Sequence, residues 1–143
     1  MRTPSGSDNV IFTLDSSAMI AFLRDEAGAD LVEAELLNPK SQCHAHVLNL
    51  CEVFYDTYRL SGHAGALQAL EDLRRFGVIE HSEMPPALWQ QAGTIKALRK
   101  RVSLADCFAI ALAQHLGATI LTSDHHEFDA LATQGVCDIR FIR

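Results

Sequence analysis

The sequence predicts an α/β protein, a parallel sheet covered by helices on both faces. Short apolar runs with β character alternate along the chain with longer stretches of helical period. That order produces parallel strands joined by crossover helices. Glycines and prolines mark the breaks between the segments. With 143 residues, 48% apolar and 21% charged, the chain has the size and composition of one globular domain. It is long enough to bury a core.

Val10 to Leu14 reads as the first strand and Ser16 to about Leu23 as the first helix. Glu26-Ala27-Gly28 breaks the chain before a second helix, Ala29 to Leu37. Asn38-Pro39-Lys40 ends that helix, because proline cannot continue it. A short second strand is expected at Gln42 to Ala45. From His46 to Leu60, apolar Val47, Leu50, Cys51, Phe54 and Tyr58 recur at helical spacing, and Asn49, Glu52 and Asp56 share another face. After the break at Ser61-Gly62, Ala64 to Phe76 is a helix with Leu67, Leu70 and Leu73 on one side. Val78 to His81 is the third strand. Pro85 or Pro86 opens a helix to about Lys100, since proline suits a first helical position. Ser103 starts a helix that Gly117 closes after Leu116. Ala118 to Thr122, His125 to Ala132 and Asp138 to Ile142 complete the chain as strand, helix and strand.

Several function classes are disfavoured at once. No apolar stretch reaches the ~18 residues that span a bilayer. The polar segment Met1 to Asn9 has no hydrophobic signal core and reads as a flexible lead-in to one domain over residues 10–143. The cytoplasm is therefore the expected compartment. Cys43, Cys51, Cys107 and Cys137 match no zinc spacing and form no CxxC pair. Cys51 and Cys107 fall in apolar helical patterns and are expected in the core. The formal charge of −6 disfavours a general nucleic-acid binder, because phosphate contacts need cations. Yet Lys96, Arg99, Lys100 and Arg101 are grouped, as are Arg74 and Arg75. A solvated helix end explains either group equally well, since cations suit a helix C-terminus.

The acids carry most of the functional signal. Asp15 and Asp124 each follow an apolar strand directly, and ligands of open α/β sheets bind beyond the carboxyl ends of strands. Either residue is also a natural helix N-cap, worth ~1 kcal/mol. Asp106 is the sole acid between Val102 and Leu116, in a helix apolar nearly all round. Such a helix is buried. A capping box with Ser103 is the structural alternative, although such boxes prefer Glu or Gln. Glu52 has apolar flanks, but its face with Asn49 and Asp56 also suits solvent. Taken together, four acids at matching points suggest a carboxylate cage for a hard divalent cation, and hence metal-assisted phosphodiester hydrolysis. Two carboxylates 4 Å apart repel by ~4 kcal/mol at an effective dielectric of 20. Raised acid pKa values are therefore expected without metal.

In these segments the chain resembles the PIN domain family, and most closely its VapC-type toxins. The matching stretches are Leu14-Asp15-Ser16-Ser17-Ala18, Asn49-Leu50-Cys51-Glu52-Val53, Ser103-Leu104-Ala105-Asp106-Cys107 and Leu121-Thr122-Ser123-Asp124. The resemblance covers about Val10 to Ile142. It implies a three-layer fold with a central parallel sheet of about four to five strands. It also implies an Mg²⁺- or Mn²⁺-dependent ribonuclease whose metal is held by Asp15, Glu52, Asp106 and Asp124. Ser16, Ser17, Asn49, Thr122 and Ser123 would support the site, with Asp129 an additional acid. Homodimers and inhibition by a small antitoxin are implied as well. Arg99, Lys100 and Arg101 would guide the RNA backbone.

Other motifs point less far. His125-His126 and the pair His44 and His46 lack the further ligands zinc requires. Trp89, Tyr55 and Tyr58 suit packing or a dimer surface. No P-loop, GxSxG or GxGxxG is present. Ser17 stands where an aspartyl-phosphate phosphatase needs a second aspartate. A non-catalytic PIN-like scaffold, a DNA nuclease and another metal-dependent phosphatase remain alternatives on the same cage.

Overall fold

The computed structural model describes residues 9–143. The expected lead-in lies outside that range, save Asn9. Five strands form one sheet in the order β3-β2-β1-β4-β5: β1 (Val10–Leu14), β2 (Ser41–His46), β3 (Ile79–His81), β4 (Thr119–Thr122) and β5 (Ile139–Phe141). All neighbouring pairs are parallel. The chain runs outward from β1 to β3, then returns to place β4 against the other side of β1. The carboxyl ends of β1 and β4 therefore flank the point where strand order reverses, the usual location of a ligand crevice.

Helices α1 (Ser16–Leu23), α2 (Ala29–Leu37) and α3 (Val47–Arg75) precede α4 (Pro86–Leu98), α5 (Leu104–Leu116) and α6 (His125–Thr133). Two apolar cores result. One gathers Phe12, Leu14, Met19, Val32, Val53, Leu73 and Leu121. The other gathers Leu88, Ile95, Phe108, Ile110, Ile120, Phe128 and Leu131. Leu121 and Ile120, neighbours on β4, fall in different cores, as alternation across a strand requires.

The break expected at Ser61-Gly62 is present: Gly62, at φ 74 and ψ −174, interrupts the helical geometry of α3. Three expectations need correction. The buried line of α3 runs through Asn49, Leu50 and Val53, while Cys51 is exposed rather than in the core. Tyr58 and Leu67 are also exposed, because only one arc of α3 meets the body. The fourth helix stops at Leu98, and Arg99 already leaves helical conformation at φ −132 and ψ 74. His46 precedes its helix as the N-cap, its ring accepting the Leu48 N–H.

Gly28 is the N-cap of α2 at φ 94. A Cβ there would meet the Ile142 carbonyl at 2.7 Å. Gly28→Ala is therefore expected to destabilise the protein by about 1–3 kcal/mol, through backbone strain and this clash. An unchanged urea midpoint would contradict it.

Candidate active site

Asp15 sits at the end of β1 as the N-cap of α1 and is buried. Its Oδ1 accepts the Ala18 N–H at 2.9 Å and the Ser17 hydroxyl at 2.7 Å. Its Oδ2 accepts the Thr122 hydroxyl at 2.5 Å. Both hydroxyls also accept backbone N–H groups from the turn after β4. Ser123 N donates to Ser17 Oγ at 3.0 Å, and Asp124 N donates to Thr122 Oγ1 at 3.0 Å. The two hydroxyls thus lock the ends of β1 and β4 together.

Thr122→Val keeps the shape and deletes the acceptor for Asp124 N and the donor for Asp15 Oδ2. It should cost about 1–3 kcal/mol by leaving buried polar groups unpaired. Equal urea stability for variant and wild type would refute this.

Helix α5 brings Asp106 in from the opposite core. Ser103 caps the helix by accepting the Asp106 N–H at 3.2 Å, so Asp106 lies in the first turn with its side chain 5% exposed. Asn49, wholly buried on α3, donates to the Ala105 carbonyl at 3.2 Å. That bond ties α3 to the start of α5. Glu52, nearly one turn further along α3, receives the Ser16 hydroxyl on Oε1 at 3.1 Å. Asp124 caps α6 by accepting the Glu127 N–H at 3.1 Å.

The tightest grouping is Asp106, Asp124 and Glu127, each offering a carboxylate oxygen within 4.8 Å of the others. Glu127 was not anticipated among the site residues. Its side chain also accepts the Ser103 N–H, so it buttresses the start of α5. The signal that could have found it is the spacing from Asp124, an N-cap followed three residues later by Glu, as in a capping box.

Asp15 and Glu52 lie outside this compact trio but within its electrostatic reach. Burial, then the carboxylates of Asp15, Glu127 and Glu52, push Asp106 up to about 9. Burial raises Asp15 to about 6, against the opposing hydrogen bonds of Thr122, Ala18 and Ser17. Burial also raises Glu52, aided by Glu127 and Asp124. Three of the four acids singled out from the sequence, Asp15, Glu52 and Asp106, are thus raised, the direction expected of crowded carboxylates.

The donor set fits a hard cation. Asp106, Asp124 and Glu127 offer carboxylate oxygens only, the ligand type that Mg²⁺ and Mn²⁺ take. Among the described residues, no histidine or cysteine belongs to such a group. Asp129 points elsewhere: it is exposed and pairs with His125 at 2.8 Å. Arg99, Lys100 and Arg101 line an adjacent cavity of about 240 Å³ with His126 and Glu127.

The PIN domain model matches residues 12–134. No curated protein matches the chain. Among solved structures, VapBC2 from Rickettsia felis, bound to a DNA fragment from its promoter, superposes with a TM-score of 0.70 at 15% identity, covering 92% of this chain and 98% of that one. DNA-bound VapBC from Salmonella typhimurium gives a TM-score of 0.69 at 16% identity over 94% of this chain and 99% of that one. VapC20 from Mycobacterium tuberculosis, a toxin that cleaves the sarcin–ricin loop, gives 0.67 at 18% identity over 83% and 94% of the two chains. At these identities the likeness is one of fold.

Proposed function

The chain belongs to the PIN domain family, and from that premise we propose that it is a metal-dependent endoribonuclease, the toxin of a toxin–antitoxin pair. One observation supports this above the rest: Asp106, Asp124 and Glu127 converge at the strand-order reversal, and among the described residues none of the three has a salt-bridge partner. Holding like charges together opposes folding. A purely binding role leaves that arrangement unexplained.

Asp106, Asp124 and Glu127 would hold Mg²⁺ or Mn²⁺, with Asp15 and Glu52 completing the cage. The cation, when bound, supplies charge stabilisation at the phosphate and acidifies water. Asp15 holds its orientation through the Thr122, Ser17 and Ala18 donors. Glu52 suits proton transfer. Burial raises its affinity for a proton, Ser16 donates to Oε1 and the Tyr55 hydroxyl donates to Oε2 at 3.5 Å, and Oε2 keeps a lone pair for the proton of an attacking water. Asp106 itself is buried and so shielded from bulk solvent.

The RNA substrate is proposed on the family resemblance and on the likeness to VapC20, which cleaves the sarcin–ricin loop. A small antitoxin partner is proposed on the likeness to the VapBC pairs. The homodimer and the cytoplasmic location are proposed on the family resemblance. Among the described residues, no helix is long and apolar enough to cross a membrane. The test is cleavage of a mixed structured RNA pool by purified protein in Mg²⁺, Mn²⁺ and EDTA. Cleavage in metal that EDTA stops supports the reading; equal cleavage with and without metal defeats it.

A further inference from the structure

A chain of net charge −6 that concentrates acids at its centre must still hold a polyanion. Arg24, Arg59, Arg74, Arg75, Arg140 and Arg143 each pair with a carboxylate. Lys96, Arg99, Lys100 and Arg101 have no carboxylate partner among the described residues. These four cations lie within six consecutive positions, while Lys40 stands apart.

The ordinary explanation for cations at a helix end does not cover two of them. Helix α4 stops at Leu98 with Arg99 as its C-cap, and Lys96 lies in its last turn. Lys100 and Arg101 sit beyond that cap in the loop between α4 and α5, where the helix dipole has faded. That loop is held in shape. The Lys96 ammonium donates to the Lys100 carbonyl at 3.0 Å and to the Val102 carbonyl at 2.7 Å. Arg99 donates to Gln134 at the end of α6. Lys100 and Arg101 remain exposed. The loop lines the cavity of about 240 Å³ together with His126 and Glu127 of α6. Glu127 also belongs to the trio of converging carboxylates. Cation pocket and acid centre therefore share a wall.

We propose that this cavity is a subsite for RNA backbone phosphates beside the reacting one, with Lys100 and Arg101 as its phosphate contacts and Lys96 as the residue that positions their loop. The inference rests on the ribonuclease reading and specifies how that site holds its substrate. Phosphate contacts of this kind position the chain without reading its sequence. They also offset the repulsion that the carboxylates exert on an approaching polyanion.

The test compares wild type, the Lys100→Ala/Arg101→Ala double variant and an Arg59→Ala/Arg75→Ala control. Binding of a labelled single-stranded RNA is followed by fluorescence anisotropy in EDTA across a KCl series, and KM for RNA cleavage is measured in Mg²⁺. The alanines leave the Lys100 carbonyl that Lys96 grips. Each single-strand phosphate contact contributes about 0.7 to the slope of log K against log salt, so the double variant should lose about 1.4 from that slope. Its KM should rise while the control matches wild type. An unchanged slope or KM in the double variant, or an equal loss in the control, overturns the subsite. If wild type still cleaves RNA in that case, the ribonuclease reading survives. Wild type that neither binds nor cleaves RNA overturns both.

Discussion

Asp106→Asn is expected to lower kcat/KM for RNA cleavage by at least about 100-fold while leaving the metal-free fold intact. Altering groups that merely support a metal ligand costs about 10–100-fold, so losing a ligand charge should cost at least the upper end. The fold survives for a specific reason. Burial and the surrounding carboxylates push Asp106 up to about 9, so without metal the side chain is a neutral acid at pH 7. Asparagine replaces it with a neutral group of the same shape. Kinetics, calorimetric titration with Mn²⁺ and urea unfolding together check this. Weakened cleavage and Mn²⁺ binding with unchanged stability is the expected result. A variant that cleaves like wild type removes Asp106 from the site.

The second large effect is on stability as pH changes. Asp106 has an ordinary value of 3.8 and is raised to about 9 in the fold. From about pH 4 upward the unfolded chain releases this proton while the folded protein keeps it. The unfolded state then binds fewer protons, so stability falls as pH rises until the folded group titrates near 9. Each unit costs on the order of 1.4 kcal/mol. Asp15, raised to about 6, adds to the same loss below that value. Three buried or half-buried histidines oppose it on the acid side. His46 is lowered to about 4 by burial and by His81, and His44 and His81 are lowered mainly by burial. Their contribution is present above their ordinary value of 6.5 and is lost as pH falls through it. Above pH 6.5 the lowered histidines no longer oppose the loss, and Tm in EDTA should decline from there to pH 9, with raised His125 and the raised thiols of Cys43, Cys107 and Cys137 adding in the same direction. Cation binding requires the carboxylates to be deprotonated, so the Tm gain from Mn²⁺ should grow across that window. Asp106→Asn should flatten the EDTA curve. A metal-free Tm that holds level or rises from pH 6.5 to 9 in wild type would count against the buried, protonated Asp106.

What could be read from sequence divides along physical lines. The strand and helix order was legible because breaks such as Asn38-Pro39-Lys40 and Ser61-Gly62 are local, and local sterics decide them. Asp106 stood out because an acid in an apolar helix has few cheap explanations. The buried face of α3 was harder. Asn49 reads as a solvent residue until its amide is seen to reach the Ala105 carbonyl of another helix. A contact across 56 positions leaves no periodic trace in α3 itself. Glu127 was hidden differently. It lies among polar neighbours at the start of α6, where an acid needs no explanation beyond the helix dipole. Only the packing of α6 against the start of α5 gives it further partners, Asp106 and the Ser103 N–H. The end of α4 was overrun because Arg99 and Lys100 are good helix formers, and the turn that stops them is held by the long-side-chain bonds of Lys96.

The sheet order also has a consequence in time. Strand β1 lies between β2, which follows it closely, and β4, which follows most of the chain. The bond from Thr122 to Asp15 spans 107 positions. On the ribosome, at about 5–20 residues per second, the first half of the sheet can zip up seconds before β4 exists. Until β4 slots in beside β1, the acids from α5 and α6 have no frame to converge on. A growing chain therefore carries its converging acids in unassembled parts. Synthesis itself delays assembly of the acid centre until β4 and α6 have emerged.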